Sequence, residues 1–285
     1  MYVVSGATGN TGKVVATKLL EAGKKVRALV RDPGKAGDLA ALGAEVVAVD
    51  LADRGGLERA LAGAEGFYLL SPPNAGSTSF VAERKQLLDG VADAVKAAKV
   101  PHVVFLSSIA AQAPAGIIQT ASNGEHALRR VDVPRTFVRP GYFVENWAAV
   151  LPVAKQDGVL PSFLPGDRQV PMVSTVDIGA LAAKALLEGP RGERILELSG
   201  PSDPTPRDVA AVVSKLFGKP VQLVEPPLDA VVPTFTSFGI SSDVASLYRD
   251  MYVGFHAGKV VFEGGKAEPH RGATSLEQTL RALAG

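Results

Sequence analysis

Three glycines spaced three apart, Gly6, Gly9 and Gly12, stand between the apolar run Tyr2-Val3-Val4 and a segment with helical apolar spacing (Val14, Val15, Leu19, Leu20). A strand that turns into a helix over such glycines is suited to holding phosphate. Gly6 permits a tight turn out of the strand. Gly9 lets the backbone approach a pyrophosphate with no Cβ in the way, and Gly12 lets the helix pack closely on the strand. Thr8 lies in the same turn. The N–H groups of the first helical turn, from Asn10 through Thr11 and Gly12 to Lys13, face the phosphates at the positive end of the helix dipole. In a chain with 30 glycines the pattern alone is weak. Its place between a strand and a helix predicts an NAD(P) site.

Residues at later strand ends extend this site. Arg31 lies 19 residues after Gly12, at the end of the second predicted strand. An acid is usual there on the ribose hydroxyls of NAD, whereas an arginine suits the 2′-phosphate of NADP through charge-assisted hydrogen bonds. NADP(H) is therefore the preferred cofactor. Asp32 follows directly, and a rotated turn presenting it to the ribose would favour NAD(H). Asp50 and Leu51 end the third strand. Asp50 reads either as an acceptor for the adenine amino group or as the N-cap of the next helix, and Leu51 as packing for the ring. Ser71-Pro72 and Ser107-Ser108 end the fourth and fifth strands, where the nicotinamide half belongs. Turn or capping roles suit these serines equally well.

A proton-transfer pair is harder to find. A lysine four residues after a tyrosine on a helix lowers the phenol pKa and makes it a working acid. The tyrosines here are 2, 68, 142, 248 and 252, followed four residues later by Gly6, Pro72, Asn146, Tyr252 and His256. No lysine occurs between Lys99 and Lys155. The helix after the fifth strand instead carries Gln119, Asn123, His126 and Arg130 on one polar face. His126, near its working pKa at neutrality, is the candidate general acid, against the plainer reading of a solvated face. Glu125 falls on a different line and is placed to pair with Arg139. Tyr142, Asn146 and Trp147, past the sixth strand, are candidates to line a substrate pocket or to pack a lobe on the sheet. His102, His256 and His270 are scattered without metal-ligand spacing, so no metal site is predicted.

These positions require a particular scaffold. Short Val-, Leu- and Phe-rich runs predict strands at 2–4, 25–30, 45–49, 66–70, 102–106 and 135–138, with helices at about 12–22, 34–42, 54–62, 79–99 and 117–131. The alternation implies a doubly wound parallel α/β sheet of Rossmann type over 1–140, with ligands beyond the strands' carboxyl ends. Residues 141–285 read as a small C-terminal α/β lobe on the substrate side. Loops crowd 152–171, and elements at about 176–198 return to the core. Helices follow at 207–217 (after Thr205-Pro206, an N-cap with proline at N1), 241–255 and 275–284.

The formal charge of +1 and the lack of a basic run argue against a nucleic-acid partner. The chain has no cysteine, which excludes disulfides and thiolate chemistry. No apolar run approaches the roughly 18 residues needed to span a bilayer. With a strand beginning at Tyr2, no leader is expected, and the expectation is a cytoplasmic protein with a small-molecule substrate. A homodimer or a regulatory protein partner is compatible with this.

Four segments together carry a family resemblance: Val4 to Gly12, Val30-Arg31-Asp32-Pro33, Val138 to Asn146 (VRPGYFVEN) and Ser174 to Gly179 (STVDIG). On these the chain resembles the NmrA-like group of atypical short-chain dehydrogenase/reductase proteins. The resemblance implies a Rossmann domain with a small C-terminal lobe and a preference for NADP, with Gly6, Gly9, Gly12 and Arg31 at the cofactor. Similar proteins include NADPH-dependent quinone, azo-dye and triarylmethane-dye reductases, isoflavone-reductase-like enzymes and dinucleotide-binding redox sensors. The isoflavone-reductase branch uses a helix lysine that this chain lacks. The expected function is hydride delivery from NADPH to an electron-poor acceptor of quinone or dye type. The alternative is a non-catalytic NAD(P)-binding redox sensor.

Overall fold

The computed structural model describes residues 1–285. The six strands expected in the first half are present, each within two residues of its expected bounds. They are β1 (Tyr2–Ser5), β2 (Val26–Val30), β3 (Glu45–Ala48), β4 (Gly66–Leu69), β5 (Val103–Leu106) and β6 (Arg135–Pro140). Between them run α1 (Asn10–Glu21), α2 (Gly37–Ala41), α3 (Arg54–Leu61), α4 (Phe80–Ala97) and α5 (Gln119–Arg129). From Gly141 the chain lays down β7 (Tyr142–Phe143), α6 (Leu151–Asp157), β8 (Val159–Pro161) and β9 (Met172–Val173). It returns to the sheet with α7 (Thr175–Glu188) and β10 (Glu193–Ser199). It then leaves for α8 (Pro206–Phe217), β11 (Gln222–Val224), α9 (Val231–Ser237) and α10 (Ser242–His256). A last strand, β12 (Glu268–Arg271), rejoins the sheet before α11 (Leu276–Ala284).

The main sheet has eight strands in the order β12-β10-β6-β5-β4-β1-β2-β3. Every neighbouring pair is parallel. This is the doubly wound Rossmann-type arrangement, with its topological switch between β1 and β4, where a crevice opens beyond the strand ends. Because successive side chains point to opposite faces, β1 feeds two cores. Tyr2 and Val4 pack with Leu19 of α1 and Leu186 of α7, and Val3 packs with Leu61 of α3 and Val91 of α4. Leu19 and Leu61 are both fully buried, so truncating either to alanine costs about 2–5 kcal/mol. A third core, around Trp147, Leu160, Val213 and Phe255, holds the lobe together.

Two features depart from the sequence reading. The 152–171 stretch contains helix α6, because Pro152 occupies the first helical turn, where no backbone donor is needed. Strand β12 reads Glu-Pro-His-Arg and has no apolar run. It is a strand because β10 offers it a paired edge, in register from Leu196↔Glu268 to Ser199↔Arg271. Helix α8 starts as its sequence indicates. Thr205 N–H donates to Asp208 Oδ2 (2.8 Å) and Asp208 N–H to Thr205 Oγ1 (3.2 Å), with Pro206 in the first turn.

Candidate active site

Gly6 leaves β1 in the left-handed region, at φ +60°, where glycine carries no Cβ penalty. The turn closes with Gly9 N–H donating to Gly6 O (2.9 Å), and Gly9 becomes the N-cap of α1. Lys13 N–H donates to Gly9 O (2.9 Å), so it is not free to face a phosphate as expected. The open donors are those of Asn10, Thr11 and Gly12. The Thr11 side chain points inward and accepts from Tyr68 Oη at 3.0 Å. Burial raises the Tyr68 pKa and keeps it a neutral donor. Leu70 N–H donates to Ser5 Oγ (2.8 Å), which ties the ends of β1 and β4 together.

The two later glycines differ physically. A Cβ on Gly12 would overlap the Gly6 carbonyl, whereas one on Gly9 would lie 3.3 Å from the Gly6 oxygen, with no other heavy atom outside its chain neighbours within 4 Å. Gly12 is therefore required by the fold. Gly9 keeps open the space in front of the turn.

That space is a cavity of about 190 Å³. Ser5, Gly6, Thr8 and Gly9 form one side, and Arg31, Asp50 and Leu51 approach from the ends of β2 and β3. Leu70, Pro72 and Pro73 approach from the end of β4. A turn places Arg31 and Asp32 differently. Asp32 Oδ1 accepts from Gly34 N–H (3.0 Å) and caps a short 3₁₀ turn. Arg31 stays exposed on the cavity, whereas Arg27 on the same strand is taken by Glu45 at 3.0 Å. The N-cap alternative for Asp50 is corrected. Asp53 caps α3 through Gly56 N–H (3.0 Å), and Asp50 Oδ1 accepts from Ala52 N–H at 2.9 Å. Open backbone donors, an unpaired guanidinium and a turn that bears no Cβ at Gly6 and Gly9 fit a dinucleotide phosphate.

A second cavity, about 400 Å³, opens at the ends of β5 and β6. Ser108, Ile109 and Gly141 form its floor, and Tyr142 and Asn146 one wall. The opposite wall comes from Phe235 of α9 and from Tyr248, Met251, Tyr252 and Phe255 of α10. Burial raises the pKa of the Tyr142 hydroxyl to about 12. The tyrosines of this wall are therefore neutral phenols.

The remaining expected site residues lie elsewhere. Trp147 is buried in the lobe core and meets Tyr142 edge-on, with centroids 6.4 Å apart, instead of lining the cavity. Ser107 Oγ donates to Glu125 Oε1 at 2.6 Å, inside the buried Glu125–Arg139 pair, so its hydroxyl is not offered to a ligand. Ser71 is half-buried after β4 and outside the walls of both cavities. His126 is exposed on α5, with Nδ1 2.7 Å from the Ser122 carbonyl, and borders neither cavity. The α9 and α10 wall was absent from the sequence reading. Its signal was the spacing of Tyr248, Met251, Tyr252 and Phe255, which places four large side chains on one helical face.

Two relatives and one solved structure place this geometry. NAD(P)H azoreductase of Xenophilus azovorans is 28% identical over 255 residues, covering 88% of this chain and 86% of the relative. Quinone oxidoreductase 2 of Escherichia coli (strain K12) is 30% identical over 261 residues, covering 90% and 89%. The crystal structure of an Escherichia coli NADPH-dependent quinone oxidoreductase complexed with NADPH aligns over 100% of both chains, with a TM-score of 0.84 and 28% identity. The NmrA-like family profile matches residues 2–253, and the chain belongs to the NmrA-like family.

Proposed function

We propose that this chain is an NADPH-dependent reductase that delivers hydride to an electron-poor acceptor of the quinone or dye type. One observation carries the reading: two cavities side by side at the carboxyl ends of one parallel sheet. The first is a glycine-turn cradle with an unpaired arginine, and the second an apolar chamber sized for a small aromatic molecule. The relatives named for NADPH or NAD(P)H point the same way.

A bound reduced nicotinamide supplies a hydride, with its electron pair, from C4. The chain's own residues hold and orient. The N–H groups of Asn10, Thr11 and Gly12 bind the pyrophosphate, and Arg31 binds the 2′-phosphate. Asp50 and Leu51 take the adenine end. Ser108, Gly141 and Tyr142 bring the acceptor against the nicotinamide end in a mainly apolar chamber, so that proximity supplies most of the acceleration.

The missing Tyr-x-x-x-Lys pair narrows the acceptor. Reducing a simple ketone generates a strongly basic alkoxide and calls for a positioned acid. Quinones and cationic dyes yield delocalised, weakly basic products that water protonates. A filled or flat surface beyond β5 and β6 would favour a non-catalytic sensor, whereas an apolar chamber favours turnover.

The test is NADPH oxidation across quinones, azo dyes and cationic triarylmethane dyes, with dinucleotide binding measured in parallel. The expected result is acceptor-dependent turnover that disappears in a folded Gly9→Val variant. Tight dinucleotide binding with no turnover of any acceptor overturns the reductase reading and leaves the sensor.

A further inference from the structure

Helix α4 starts without a cap of its own, because the Ser79 side chain makes no bond to its first turn. The Phe80 N–H, one of the donors that a helix start leaves open, instead donates to Asp243 Oδ2 at 2.9 Å. Asp243 lies 163 residues further along the chain, in the first turn of α10. The bonding is returned. Ser241, the N-cap of α10, donates its N–H to Ala75 O at 2.8 Å and its hydroxyl to Ser77 O. A core helix and a lobe helix are therefore interlocked at their starts. The interlocked segment also continues a cavity wall. Pro72 and Pro73, just before it, line the glycine-turn cavity, and Arg84 of α4 donates to Pro72 O at 2.8 Å. On the other side, Ile240 and the α10 side chains described above line the acceptor chamber. Residues 73–79 are exposed except for Ser77, so hydrogen bonds to α4 and α10, more than packing, hold this segment in place.

We propose that Ser241 and Asp243 are positioning residues that couple the two cavities: a dinucleotide seated against Pro72 and Pro73 fixes the α10 wall and tightens binding of the acceptor. This coupling rests on the reductase reading above. The segment from Pro72 to Phe80 is the shared part. Ordering it against the dinucleotide costs conformational entropy once, and an acceptor that then arrives at α10 does not meet that cost again. Coupling of this kind is reciprocal, so the acceptor tightens the dinucleotide by the same factor. The Asp243 bond runs to a backbone N–H, and the side-chain oxygen of an asparagine can accept it equally well. Alanine at the same position leaves the Phe80 N–H without its partner and frees the start of α10 from the start of α4.

The test titrates menadione, a methylated naphthoquinone, calorimetrically into the protein alone and into the protein saturated with NADP⁺, which has no hydride to deliver. In the wild type NADP⁺ should tighten menadione about tenfold. In Asp243→Ala and in Ser241→Ala that ratio should fall below about threefold. Asp243→Asn, which keeps an oxygen for the Phe80 N–H, should retain the wild-type ratio. Thr205→Ala removes a cap from α8, outside both cavities, and should also leave the ratio unchanged. A second measurement needs no acceptor: amide hydrogen exchange with and without NADP⁺. The dinucleotide should slow exchange over the first turns of α10 in the wild type and not in Asp243→Ala. A wild-type ratio near one overturns the coupling, as does a ratio or a slowing that survives Asp243→Ala. A loss in Asp243→Asn or Thr205→Ala equal to that in Asp243→Ala also overturns it. Wild-type protein that binds NADP⁺ but not menadione or any other acceptor overturns the reductase reading instead, and hydrogen exchange then still decides whether dinucleotide binding reaches α10. Failure to bind NADP⁺ overturns both.

Discussion

Arg139 and Glu125 meet fork to fork, Nε to Oε1 at 2.7 Å and Nη2 to Oε2 at 2.7 Å, with both side chains almost completely buried. The pair joins the end of β6 to α5, and Ser107 and Glu263 complete it. It holds in register the strand ends that carry Ser108 and Gly141. Glu125→Ala leaves a buried guanidinium short of its main partner, and a loss of about 3–5 kcal/mol is expected in urea unfolding. Glu263, whose side chain is 43% exposed, should cost under about 1 kcal/mol when truncated. Similar losses from the two variants would show that the buried fork is not the main connection.

Arg31→Ala removes the charge proposed to meet the 2′-phosphate while leaving the glycine turn intact. Fluorescence titration should show NADPH affinity falling about 10- to 100-fold, as for loss of a charge-assisted hydrogen bond. NADH affinity should change by less than about threefold. Equal losses for both would move the 2′-phosphate elsewhere.

Gly9 and Gly12 should separate binding from folding. Gly9→Ala places a Cβ 3.3 Å from the Gly6 oxygen, a close contact that a shift of a few tenths of an ångström relieves, on an extended backbone that alanine adopts freely (φ −87°, ψ 171°). It should therefore melt like the wild type and bind dinucleotide at least about tenfold more weakly. Gly12→Ala collides with the Gly6 carbonyl and should lower Tm even without ligand. A Gly12→Ala protein with wild-type Tm would contradict the close strand–helix approach.

His102 is almost fully buried, with Nε2 3.0 Å from Thr136 Oγ1. Burial, assisted by the charge of Arg194, lowers its pKa from 6.5 to about 4. The unfolded chain therefore takes up a proton before the folded one does. Its stability contribution is intact above pH 6.5 and is lost as pH falls toward 4. The full loss is about 3 kcal/mol. Chemical unfolding across this window should show His102→Gln declining less steeply than the wild type, and parallel curves would refute the assignment.

The sheet was legible because parallel strands covered on both faces leave short apolar runs that few loops imitate, as in Val103-Val104-Phe105-Leu106. The glycine turn was legible because its geometry is local. Less visible were features decided by partners distant in sequence. Strand β12 depends on an edge supplied by β10. Whether Arg31 or Asp32 faces the cavity depends on an Asx turn onto Gly34. Ser107, at a strand end suited to a ligand, is taken by Glu125 18 residues later. The chamber wall joins Tyr142 to Tyr252 across 110 residues of chain, and only packing brings them together.

The chamber has a chemical consequence of its own. Quinones are electrophiles that add to thiolates and amines, and proteins handling them risk being arylated by their own ligand. Here the walls are built from Ser, Asn, Tyr, Phe, Ile, Met and Gly. The chain has no cysteine, and no lysine lies from β5 through β6 to the start of α6. The phenols are kept protonated by burial and are poor nucleophiles. A reactive acceptor of the proposed kind would meet no thiolate and no amine in these walls.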